Sequence, residues 1–106
     1  MRLSLSRFFN GGRPDEVTLA NASTADRAEM HGLQFQPRAI RVRAGTAVTW
    51  RNRDQVFHTV TAEDGSWTSP MIEPGQTYQH VFDKPGRYHI ICTPHPVMKM
   101  VVEVVA

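Results

Sequence analysis

In the stretch "CTPHPVM" a thiol, an imidazole and a thioether follow one another at steps of three: Cys92, His95 and Met98. Pro94 and Pro96 restrict the backbone between them, so Cys92 and His95 can face one point. A fourth donor must come from elsewhere, and "DQVFHTVT" offers His58 at the start of a β-like run. Softness selects the metal for such a set. Structural zinc takes four strong ligands from Cys and His, and a neutral thioether is a poor one. Two imidazoles, one thiolate and a weak axial methionine suit copper that exchanges single electrons. Four protein donors also leave no position open for substrate, which argues for electron transfer and against catalysis.

The elements that must hold these donors follow a period of two. "AIRVRAGTAVTWRN" alternates Ile40, Val42, Val48 and Trp50 with polar neighbours, and Ala44-Gly45-Thr46 forms the turn between. "TYQHVF", "GRYHIIC" and "MVVEVV" repeat the pattern, with turn signals at "EDGS", "EPGQ" and "DKPG". The segment "ANASTADRAEMHG" over residues 20–32 is expected to be a loop with at most one helical turn. Evenly spaced short strands without helices predict an all-β sandwich or barrel. With 106 residues and no repeat or linker, residues 1–106 are expected to be a single domain. "MRLSLSRFF" has no apolar stretch of signal-peptide length, and residues 1–15 are expected to add an N-terminal strand or arm.

Composition removes several alternatives. Cys92 is the only cysteine, so no internal disulfide can staple the fold, and a binuclear copper centre that needs two thiolates is excluded. No His-x-His pair exists to build the further copper sites of an oxidase or nitrite reductase. No apolar run approaches a membrane span. The net charge is +2, and five of the ten arginines (Arg38, Arg41, Arg43, Arg51, Arg53) lie within sixteen residues. Arg41 and Arg43 alternate with Ile40 and Val42, which reads as the solvated side of a strand rather than a nucleic-acid surface; a docking face for an acidic partner is the other reading. His80 and His89 are read as outward-facing strand residues, His31 as a loop residue, and Trp50 and Trp67 as core or rim packing.

Over residues 33–106, "LQFQPRAIRVRAGTAVTWRNRD", the histidine of "FHTV", "EPGQTYQHVF" and "KPGRYHIICTPHPVM" occur in an order that resembles the cupredoxins. These are small blue copper proteins of the amicyanin, plastocyanin and pseudoazurin kind, and the short ligand loop is most similar to that of amicyanin. The resemblance implies an eight-stranded Greek-key β-sandwich with one type 1 copper bound by His58, Cys92, His95 and Met98. It implies single-electron shuttling between protein redox partners by a monomer in the periplasm or another extracytoplasmic compartment. Electrons would pass through His95 and an apolar patch at Phe57, Met71, Pro94, Pro96 and Val97, with Asn52 and Thr59 standing behind the ligands. Three positions depart from the family pattern: Phe57 replaces a usual proline, Thr59 a common asparagine and Met100 a common glycine. A copper-storage module and an electron-transfer domain of a larger membrane-bound respiratory protein remain the alternatives.

Overall fold

Alternating apolar residues give each strand one face to bury, and two sheets bury those faces against each other. The computed structural model describes residue 19 and residues 21–106, so the arm expected over residues 1–15 lies outside it. Nine strands form among the described residues: β1 Ser23–Thr24, β2 Arg27–Met30, β3 Phe35–Gln36, β4 Ala39–Arg43, β5 Thr46–Asn52, β6 Thr61–Ala62, β7 Thr77–Phe82, β8 Gly86–Cys92 and β9 His95–Val105. One sheet runs β1-β4-β9-β8-β6 and the other β3-β2-β5-β7. The all-β sandwich is as expected. Its strand count passes eight because pairings of two residues, such as β1, β3 and β6, stand as strands of their own.

Residues 20–32 depart from the expected loop, for they hold β1 and β2. Ala28 and Met30 point inward while β2 lies parallel to β5, from Arg27↔Thr49 to Met30↔Asn52. Only two apolar residues mark that alternation, and the partner strand lies about twenty positions downstream. The turn after β4 also works differently from a hairpin closure: it carries the chain from one sheet to the other. There the Ala44 amide donates to Val105 and the Gly45 amide to Phe82. Gly45 has φ of 92°, a conformation open to glycine at little cost.

Trp50, Phe35, Phe82, Met30, Ile90 and Val102 fill the space between the sheets. The Trp50 indole N–H donates to Met100 Sδ at 3.1 Å, so this methionine packs the core as expected. His80 corrects the expected outward orientation. It shares strand parity with Tyr78 and Phe82, and it is half-buried in a stack on Trp67, ring centroids 3.6 Å apart. Burial beneath the indole lowers its pKa, against the opposing pull of Asp83. The arginine run is largely solvated. Arg41 pairs with Glu103, Arg53 with Glu29 at 3.3 Å, and Arg38, Arg43 and Arg51 are exposed.

Candidate metal centre

β8 and β9 form a tight antiparallel hairpin, and the chemistry of the chain gathers at its turn. Cys92 ends β8 and pairs with His95, which opens β9, across Thr93 and Pro94. The next pair is Ile91↔Lys99, so Pro96, Val97 and Met98 bulge from the ladder with no residue of β8 opposite. A bulge of this kind re-aims side chains beside a site. Here it keeps His95 against Cys92 while returning Met98 to the interior, where it is buried.

His58 arrives from the other direction. It precedes β6 and is fixed by a two-way backbone bridge with Ile72, N to O at 3.1 and 2.8 Å. Its ring is wholly buried, with Nδ1 3.4 Å from Cys92 Sγ. His95 Nδ1 lies 3.9 Å from the same sulfur, and the ligand atoms of all three residues fall within 4.8 Å of one another. First-row ions bond such nitrogens at about 2.0 Å and thiolates at about 2.3 Å, which at tetrahedral to trigonal angles sets donors roughly 3.5 to 3.7 Å apart. The spacing of these three side chains fits one ion.

The atoms behind the donors are strongly cross-linked. The Thr59 amide donates to Cys92 Sγ at 3.4 Å, and the Thr59 hydroxyl accepts the Thr93 amide at 2.9 Å. That hydroxyl also bonds to the hydroxyls of Thr61 and Thr93, and Thr61 bonds on to Thr68. Thr68 donates to the Ser69 carbonyl, which can only accept. Because each hydroxyl has one proton, the row must run from Thr93 to Thr59 to Thr61 to Thr68. Thr59 therefore ties the His58 loop to the Cys92–His95 turn by a short side-chain link. Asn52 braces the loop before His58. Its amide donates to Val56 O and Ile72 O at 2.8 and 2.9 Å, and its carbonyl accepts the Asp54 amide.

Asp54 is the residue that sequence reading missed. Its carboxylate takes His58 Nε2 at 2.8 Å and the amides of Gly32 and Leu33 at 2.7 and 2.9 Å. Burial alone would raise its pKa, but the Leu33 amide, the His58 ring and the Gly32 amide together hold it below the usual carboxylate range. The available signal was an acid four residues before the histidine; its partners at 32 and 33 carry no sequence mark.

Phe57, Met71, Pro94, Pro96 and Val97 are all exposed on the segments that carry or flank these donors, and Val97 is 87% exposed. Exposed Leu33 and Val56 add to the apolar surface, unforeseen from the sequence. His31 sits at the edge, Nδ1 4.0 Å from Asp54. His89 lies outward in parity on β8, away from Cys92.

Comparison with known proteins finds amicyanins among the relatives of this chain. Amicyanin-alpha of Methylorubrum extorquens is 42% identical over 72 residues, covering 63% of this chain and 60% of that protein. Amicyanin of Paracoccus denitrificans is 33% identical over 100 residues, covering 85% of this chain and 76% of that one. A solved Cu(I) amicyanin variant superposes with a TM-score of 0.70 at 28% identity, over 82% of this chain and 88% of that one. The family model for copper binding proteins of the plastocyanin/azurin family matches residues 20–106, the stretch that builds both sheets and brings His58, Cys92 and His95 together. The chain belongs to that family.

Proposed function

We propose that this chain is a small type 1 blue copper protein that carries single electrons between protein partners. His58 and His95 would bind through Nδ1, Cys92 through Sγ and Met98 through its thioether. The observation that carries the reading is the meeting of two imidazoles and one thiol within 4.8 Å, with Met98 buried one short bulge away. Copper bound by such a set supplies one-electron redox chemistry at a covalent metal–thiolate centre.

The residues of the chain do the rest. His58 and Cys92 come from the buried side of the sandwich, and their cross-linked neighbours hold the donors in one geometry before and after an electron moves. Four protein donors leave no position for substrate, which supports a carrier over an enzyme. His95 is half-buried and adjoins the exposed apolar residues, so its ring edge is the shortest route from the centre to a docked protein. Phe57, Met71, Pro94, Pro96 and Val97 would exclude water from that contact, as an apolar surface patch on a monomer does when it serves a partner. An extracytoplasmic compartment and a monomeric state complete the proposal.

Visible and spin-resonance spectra of the Cu(II) protein test it. An intense blue band that bleaches with ascorbate and returns on reoxidation is expected, and Cys92→Ser should abolish the colour while the protein stays folded. A colourless cupric protein, or a serine variant that keeps the band, would overturn the reading.

A further inference from the structure

Buried His58 makes one strong contact besides Cys92, and that contact fixes its chemistry. A carboxylate accepts hydrogen bonds and donates none, so the 2.8 Å contact with Asp54 requires the proton of a neutral His58 on Nε2. Nδ1 is then the free lone pair, and it is the nitrogen 3.4 Å from the Cys92 sulfur. Asp54 is itself immobilised. Gly32 donates to one of its oxygens, while Leu33 and His58 share the other. Leu33 adopts φ of 57°, uncommon for a residue with a side chain, and in that turn its amide aims at the carboxylate. Asn52 closes the arrangement by accepting the Asp54 amide.

We propose that Asp54 is the positioning residue of the centre, locking His58 as its Nε2–H tautomer so that Nδ1 stays open to metal, and that the turn at Gly32 and Leu33 holds Asp54 in that task. The consequence for copper rests on His58 being a ligand; the lock itself does not. The same turn reaches the surface. The Leu33 side chain is exposed and lines a cleft with Val97 and Met98, so one short segment links the apolar rim to the wholly buried imidazole. Carboxylates behind ligating histidines fix the tautomer and raise ligand basicity, and removing them costs 10- to 100-fold in metal affinity or activity.

An asparagine at position 54 has one oxygen for three donors, and its NH2 group opposes whichever donor it meets. When it faces His58 it demands a lone pair at Nε2 and drives the proton to Nδ1, the wrong nitrogen for binding. Nitrogen–proton correlation spectra of the histidine side chains, taken on metal-free protein at a pH where imidazole is neutral, read this directly. Wild type should show His58 as a single Nε2–H form, and Asp54→Asn should populate the Nδ1–H form. Competition with a chelator should then show Cu(II) affinity reduced at least tenfold. Exposed Glu73→Gln should change neither reading.

A wild-type His58 protonated at Nδ1 would overturn the proposal, and this result needs no variant to fold. So would an Asp54→Asn protein with an unchanged tautomer and a Cu(II) affinity within twofold of wild type. If wild type shows the Nε2–H form yet binds no copper, the electron-carrier reading fails and the tautomer lock stands.

Discussion

His58 and His95 lie with ring centroids 5.2 Å apart, and their surroundings have little in common. His58 is wholly buried, bridged to Ile72 through its backbone and hydrogen-bonded to Asp54 through Nε2. His95 is half-buried at the head of a two-residue turn, and among the described residues nothing hydrogen-bonds its second ring nitrogen. The first is held by tertiary structure, the second by a hairpin and two prolines. The difference separates two requirements of a carrier: one ligand must not move, and another must come within reach of a partner.

The largest test removes each ring in turn. His95→Gly should open the centre to solvent, so that the Cu(II) protein loses its blue band and regains it with millimolar imidazole. His58→Gly leaves a sealed interior position, with Asp54 still held by the amides of Gly32 and Leu33, and added imidazole should restore no colour. Equal rescue of both variants, read in the visible spectrum, would erase the distinction between an anchored and an accessible ligand.

Thr59 tests the link between the two loops, and its effect should be smaller. Thr59→Ala strands the Thr93 amide and interrupts the oriented row of hydroxyls. Leaving such groups unsatisfied costs about 1–3 kcal/mol, to be read from denaturant unfolding of the metal-free protein. Thr59→Ser keeps the hydroxyl and should recover most of that loss. If alanine and serine are equally stable, the hydroxyl does not couple the loops.

The smallest effect concerns acid. Burial against Trp67 holds the pKa of His80 below its ordinary value of 6.5, with Asp83 opposing. The unfolded chain therefore takes up this proton first. His80 contributes full stability above about pH 6.5, and the contribution is lost as pH falls through the lower folded value. His80→Phe should flatten that part of the stability–pH curve of the metal-free protein. An unchanged curve would show that His80 carries none of it.

Much of the site was written in local spacing. Cys92, His95 and Met98 sit within seven residues, so one hairpin and its bulge are enough to gather them, and the period-two runs announced the strands that bear them. β2 was hidden because Ala28 and Met30 are the only apolar marks of its alternation, and the polar residues around them read as loop. His80 was misplaced although its parity with Tyr78 and Phe82 was available, since a titratable ring in a polar-looking strand suggests a surface. Its burial depends on Trp67, thirteen positions upstream.

What the amino-acid sequence determined by itself is the donor chemistry and the all-β class. Both follow from residue type and short-range periodicity, which act over a few positions of chain. What only the tertiary structure decided is the character of each ligand: His58 buried, with its Nε2–H aimed at Asp54, and His95 left near the surface. The state of His58 is set by the bonds of Asp54 to Gly32, Leu33 and His58 and by the bridge of His58 to Ile72, which join segments up to 22 positions apart. A hydrogen bond between distant segments exists only once the sheets have packed, and no local pattern encodes it.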